Sequence, residues 1–227
     1  MRRASKQIVS VGYGAVSTLR NLSAAVLLMT GAAQAETVTI AALGDSLTAG
    51  FGLPQADGFV PQLEDWLQAQ GADVEIMNAG VSGDTTAGGL SRVNWTLTPD
   101  VDAMIISLGG NDYLRGLDPA VSHANLDGIL AAGVEADVAM LLVGLEVGAN
   151  YGPAYKADFE GMYAALAEKY DVPLYPDFAA GLRAVAGTQD GMAALMQADG
   201  LHPNREGVSA IVNAMGPAIL DLIATVD

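Results

Sequence analysis

The stretch that decides the fold is Val38-Thr39-Ile40-Ala41-Ala42-Leu43-Gly44-Asp45-Ser46-Leu47-Thr48-Ala49-Gly50. Residues 38–43 form an almost unbroken apolar run that stops at a Gly-Asp-Ser turn. A short run of this kind reads as a strand buried on both faces, as a parallel sheet requires. Working outward, the pattern recurs. Residues 74–77, 103–108, 138–145 and 172–175 are further strand candidates. Helical patterns separate them, over 59–70, 85–97 and 118–129. Beyond these, Tyr155, Phe159, Met162, Tyr163, Leu166 and Tyr170 fall at helical spacing. A last amphipathic helix carries Val208, Ile211, Val212, Met215, Ile219 and Leu222. Asn204 is its expected N-cap, and Pro217 is expected to kink or split it. Strand–helix alternation predicts one α/β domain with a parallel sheet and helices on both faces. The longest stretch without a clear element is 176–200.

Composition limits the chemistry. The chain has 227 residues, 51% hydrophobic and 16% charged, a globular balance. It has no Cys, which excludes disulfides, thiolate metal sites and a Cys nucleophile. Two His, His123 and His202, are too few for a multi-histidine metal site, and no metal or cofactor is expected. Acids outnumber bases 26 to 10, for a formal charge of −16. Such a surface repels nucleic acid and anionic lipid. No partner chain is required, and a monomer is expected.

The first 35 residues stand apart. Arg2, Arg3, Lys6 and Arg20 precede any acid, an apolar run follows over 24–29, and Ala33-Gln34-Ala35 closes the segment. That order predicts a secretory signal peptide cleaved after Ala35, a periplasmic protein and no stable membrane anchor afterwards. An uncleaved anchor helix is the alternative, but Arg20, Asn21, Ser23, Thr30 and Gln34 interrupt the span it would need. The functional domain is then 36–227.

Three polar, Gly-rich clusters each follow a strand: Gly44-Asp45-Ser46, Asn78-Ala79-Gly80-Val81-Ser82-Gly83-Asp84 and Gly109-Gly110-Asn111-Asp112. Ligands of open α/β sheets bind at that edge. A fourth cluster, Asp199-Gly200-Leu201-His202-Pro203-Asn204, precedes the last helix. Attack on a carbonyl needs a nucleophile, a base and donors for the oxyanion. Ser46, at a strand-to-helix turn, fits the first role. His202 fits the second, with Asp199 three residues earlier to orient it. The Ser46 and Gly83 backbone N–H groups and the Asn111 amide fit the third. Singly, each piece has an ordinary reading: a serine cap, a turn asparagine, a loop histidine. The weight lies in four pieces falling in order on one predicted edge. His123 reads as a surface helix residue, and Asp45, Asp84 and Asp112 as helix caps or loop braces.

Two other nucleotide- or hydrolase-type motifs fail. Thr48 occupies the last glycine position of a G-x-S-x-G elbow, and no G-x-G-x-x-G follows the first strand.

The quoted clusters resemble the SGNH hydrolases, also called GDSL esterases, over nearly all of the chain beyond Thr39. Within that family the chain is similar to the exported bacterial arylesterase, thioesterase and lysophospholipase group. The resemblance implies a flavodoxin-like three-layer α/β/α sandwich with five parallel strands. It implies Ser46, Asp199 and His202 as catalytic residues and Ser46, Gly83 and Asn111 as the oxyanion hole. Leu47, Tyr113 and Tyr151 are candidates to contact a small ester or lipid substrate, with exposed loop positions the equal alternative for the two tyrosines. One stretch departs from the family pattern. Glu146-Val147-Gly148-Ala149 stands where members often carry a proline, so chain-length preference does not carry over. A carbohydrate O-acetyl esterase, with acetyl preference and a polar pocket, and an inactive ligand-binding relative are the competing readings.

Overall fold

The structure is a computed structural model and describes residues 37–226. The expected signal peptide and its cleavage point lie outside the described residues. Five parallel strands, β1 (Val38–Gly44), β2 (Val74–Gly80), β3 (Ala103–Ser107), β4 (Ala139–Val143) and β5 (Leu174–Tyr175), form one sheet in the order β2-β1-β3-β4-β5. The helices are α1 (Ser46–Ala49), α2 (Phe59–Ala69), α3 (Thr86–Thr96), α4 (Gly110–Leu114), α5 (Pro119–Glu135), α6 (Pro153–Tyr170), α7 (Ala180–Ala186), α8 (Gln189–Ala194) and α9 (Arg205–Ile223).

Alternation along the strands builds two cores. Ile40 and Ala42 of β1, with Ile105 of β3 and Leu141 of β4, pack under α2, α7 and α9 through Phe59, Leu63, Leu182, Ile211 and Met215. Ala41, Leu43, Met104, Ile106 and Leu142 point the other way, under α3, α5 and α6 through Val93, Leu126, Ile129, Phe159 and Leu166. Both faces of the sheet are therefore covered, which is why β1, β3 and β4 read as nearly continuous apolar runs. This is the three-layer sandwich the sequence predicts.

Two expectations are corrected. Residues 176–200 are not structureless, since α7 and α8 lie there. Both are short and Ala- and Gly-rich, so they carry no apolar stripe. Pro217 does not split α9, which runs unbroken from Arg205 to Ile223. The proline removes the donor for the Asn213 carbonyl. Asn213 and Pro217 are both exposed, so that carbonyl is open to solvent while the other face of α9 stays buried.

The sheet order places the site. The chain leaves β1 for β2 on one side and returns to β3 on the other, so the crevice lies beyond the end of β1. The register aligns Gly44 with Gly80 and with Ser107, so the three following loops start level with one another.

Candidate active site

Asp45 starts the site. Its Oδ1 accepts the Leu47 N–H at 3.0 Å and caps α1, which holds Ser46 in the first helical turn. The Ser46 N–H therefore has no intrahelical acceptor. Asp45 is buried, and its Oδ2 lies 3.4 Å from Asn111 Nδ2. Burial pushes its carboxyl above the ordinary range, opposed by the Leu47 hydrogen bond.

Ser46 Oγ lies 2.9 Å from His202 Nε2, and His202 Nδ1 lies 2.7 Å from Asp199 Oδ2. The three residues thus form one chain of contacts across 156 residues of sequence. The Asp199 Oδ1 atom also accepts the His202 N–H at 3.0 Å and the Leu201 N–H at 2.9 Å. The His202 backbone, then its side chain and the Leu201 backbone, lower the Asp199 carboxyl to about 2. An ionised Asp199 accepts Nδ1–H, which leaves Nε2 free to accept the serine proton.

The second and third loops bring Gly83 and Asn111 to the same cavity as Ser46. Gly83 has φ +86°, a left-handed conformation that costs a residue with a Cβ about 1–2 kcal/mol. Among the described residues no acceptor takes its N–H. Asn111 stands in α4, entered through Gly109 at φ +124°.

Three side chains hold these loops: Asp112, expected as a brace, and Arg92 and Arg115, which the sequence left without a site role. Arg92 of α3 donates to the Gly44 carbonyl at 2.8 Å, the Ala79 carbonyl at 2.7 Å and Asp84 Oδ2 at 2.7 Å, so it joins the ends of β1 and β2. Arg115 Nη2 donates to the Gly83 carbonyl at 2.8 Å. Asp112 is fully buried and accepts the Thr86 N–H at 2.8 Å, the Thr86 hydroxyl at 2.6 Å and the Ser122 hydroxyl at 2.9 Å. Asp84 pairs with Arg92, whereas Thr85 caps α3. No local sequence signal announces contacts between such distant positions.

The cavity measures about 530 Å³, within the range of small-molecule sites. Leu47, Phe51, Tyr113, Leu114, Leu145, Val147 and Leu201 give it apolar walls around Ser46 and His202. Glu146, Val147 and Gly148 border it, pinned by the Glu160 carboxylate on the Val147 N–H at 2.8 Å and by Lys156 on the Val147 carbonyl at 2.6 Å. Leu47 and Tyr113 lie where a substrate contact was expected. Tyr151 does not line the cavity but braces it. Its ring stands edge-on to Tyr113 at 5.8 Å, and its hydroxyl donates to the Leu114 carbonyl at 3.3 Å. His123 is partly buried on α5, away from this cavity. No cluster of metal-ligating side chains is present among the described residues.

Comparison with known proteins agrees with this architecture. Residues 42–210 match the GDSL-like Lipase/Acylhydrolase family. The chain is 36% identical over 200 residues to the esterase TesA of Pseudomonas aeruginosa, covering 88% of this chain and 95% of that protein. It is 35% identical over 199 residues to thioesterase 1/protease 1/lysophospholipase L1 of Escherichia coli K12, covering 87% and 90%. The crystal structure of the psychrotrophic esterase EstA from a Pseudoalteromonas species, inhibited by monoethylphosphonate, superposes with a TM-score of 0.74 at 32% identity, covering 82% of this chain and 99% of that one. The chain therefore belongs to the GDSL-like lipase/acylhydrolase family and is a serine ester hydrolase of the SGNH type.

Proposed function

We propose that the protein hydrolyses carboxylic esters of apolar acyl groups through an acyl-enzyme on Ser46. The observation that carries this reading is the contact chain Ser46–His202–Asp199, at 2.9 and 2.7 Å, on the wall of an apolar cavity. His202 Nε2 takes the hydroxyl proton as Ser46 Oγ bonds to the carbonyl carbon. The oxyanion is met by the Ser46 and Gly83 N–H groups and the Asn111 amide. The tetrahedral adduct collapses, the carbon–oxygen bond to the alcohol breaks, and Nε2 returns the proton to that alcohol. Water then loses a proton to Nε2 and attacks the acyl carbon. The acid leaves, and Ser46 regains its proton. Asp199 acts through the imidazole, which it orients, and is itself fixed by the Leu201 and His202 N–H groups.

The apolar walls favour acyl or aryl esters and lysophospholipids over the polar rings of an O-acetylated carbohydrate. An open cavity beside an intact contact chain argues against a binding-only relative. The inhibition of EstA by a phosphonate, a mimic of the tetrahedral adduct, supports the same chemistry by similarity. The basic and then apolar character of residues 1–35 supports export to the periplasm. There, esters and lysophospholipids are more accessible substrates than cytosolic acyl-CoA. The test is hydrolysis of p-nitrophenyl esters from acetyl to palmitoyl by residues 36–227 and by the Ser46→Ala variant. Turnover that depends on Ser46 and peaks beyond acetyl is expected. Activity retained in Ser46→Ala refutes the mechanism, and strict acetyl preference favours the carbohydrate esterase.

A further inference from the structure

Two of the proposed oxyanion donors, the Gly83 N–H and the Asn111 amide, stand on different loops, and both must reach one oxygen atom. Gly83 occupies the third position of the turn Val81–Asp84, which the Asp84 N–H closes on the Val81 carbonyl at 3.0 Å. Its φ of +86°, with no positive φ at Ser82, makes this a type II turn. The central peptide of that turn carries the Gly83 N–H, so any tilt of the turn swings the donor. Packing does not hold the turn. Val81, Ser82 and Gly83 are all exposed. A Cβ built on Gly83 would meet, beyond its chain neighbours, a single atom within 4 Å, Arg115 Nη2 at 3.9 Å.

Hydrogen bonds hold it instead. The Val81 N–H donates to the Gly44 carbonyl at 3.0 Å and fixes where the turn starts. Arg115 fixes the other end, with Nη2 donating to the Gly83 carbonyl at 2.8 Å. Arg115 caps the end of α4, and its own N–H donates to the Asn111 carbonyl at 3.2 Å. One residue thus joins the Gly83 turn to the helix that carries Asn111. Every other Lys and Arg among the described residues pairs with a carboxylate. Arg115 does not, so no ion pair competes for its guanidinium.

We propose that Arg115 is a positioning residue for ester hydrolysis, setting the distance between the Gly83 N–H and the Asn111 amide. This inference rests on the esterase reading above. Arg115 stands outside the cavity lining, so its loss should slow the chemical step and leave binding of the ester nearly intact.

The experiment measures kcat and KM for p-nitrophenyl butyrate with the wild type, Arg115→Ala and Arg115→Lys, beside thermal melts. Arg115→Ala loosens a donor without deleting it. Its kcat should fall about tenfold, short of the 10²–10³ of a deleted donor, with KM within about threefold of the wild type. Affinity for a trifluoromethyl ketone, whose adduct with Ser46 carries the oxyanion, should fall by the same factor as kcat. Arg115→Lys keeps a cationic donor and should recover most of the loss. Millimolar guanidinium chloride should restore Arg115→Ala and leave the wild type unchanged, whereas sodium chloride at the same concentration should do neither. A loss of stability alone would respond to none of these. A kcat loss under about threefold in Arg115→Ala, a loss carried by KM alone, or a loss that neither lysine nor guanidinium restores would overturn the positioning role. A wild type silent on this ester would instead overturn the esterase reading, and this inference with it.

Discussion

Replacing Asp112 by alanine should destabilise the fold far more than replacing an ordinary loop aspartate. The carboxylate is fully buried and accepts three hydrogen bonds, from the Thr86 N–H, the Thr86 hydroxyl and the Ser122 hydroxyl. Thr86 and Ser122 are themselves fully buried, so no water replaces the lost acceptor. An orphaned buried N–H costs about 2 kcal/mol. The two hydroxyls can rotate, and the Thr86 oxygen still accepts from Asn125, so they cost about 1 kcal/mol each. The loss is then about 4 kcal/mol, a large share of a typical domain's stability. For a domain of this size that corresponds to a fall in melting temperature of roughly 10 °C. Asp112→Asn should lose about half as much. Its single amide oxygen can serve the Thr86 N–H while its NH₂ donates to the hydroxyls. Thermal melts followed by circular dichroism at neutral pH would give both numbers. An alanine variant that melts within about 3 °C of the wild type, or an asparagine variant no better than alanine, would refute the reasoning.

Other consequences are open to direct measurement. Asn111→Ala, which deletes a proposed oxyanion donor, should lower kcat by roughly 10²–10³ on a p-nitrophenyl ester while the circular dichroism spectrum is kept, and a loss under about tenfold would remove the amide from the oxyanion hole. Gly83→Val keeps its N–H but disfavours φ +86°, so kcat should fall as that donor is turned away; an unchanged kcat would show that the left-handed turn is not needed to aim it. For Asp199 the sign follows from its lowered carboxyl, about 2 against 3.8. The stabilisation it gives is complete above about pH 4 and disappears as pH falls through about 2. Asp199→Asn should therefore melt below the wild type at neutral pH, with the gap closing in acid; a gap that stays constant down to pH 2 would contradict the charge-based account.

What could be read from the sequence follows from what is local. The apolar runs of β1, β3 and β4 are legible because covered parallel strands need no polar face. Asn204 was legible as a cap because the capping contact, to the Gly207 N–H at 3.0 Å, spans only three residues. Ser46, Gly83, Asn111, Asp199 and His202 stood out because turn chemistry and reactive side chains coincide at strand ends. The contacts that hold these residues were not legible. Arg92 reaches the Gly44 carbonyl across 48 positions, and Gln197 reaches Phe51 across 146. Such pairs become neighbours only when the sheet order is known. The extents of the one-turn helices α1 and α4 are not legible for another reason, although the strand-to-helix turn at Ser46 is. Both helices are too short for periodicity and exist because Asp45 and Gly109 shape the turns before them.

The level ends of β1, β2 and β3 also divide the site into two unlike halves. Ser46, Gly83 and Asn111, the nucleophile and oxyanion donors of the proposed mechanism, follow adjacent strands that share one hydrogen-bonded register. Asp199 and His202 belong to a segment outside the sheet, joined to the other half through the Gln197 amide and the Ser46–His202 contact. A change in the strands must disturb attack and oxyanion binding together. A change in residues 198–200 can shift proton transfer while the Leu145–Val147 wall, held by Asp177 and Arg183 on another part of the chain, stays as it was. The pace of the reaction and the choice of acyl group are therefore separately adjustable in this fold.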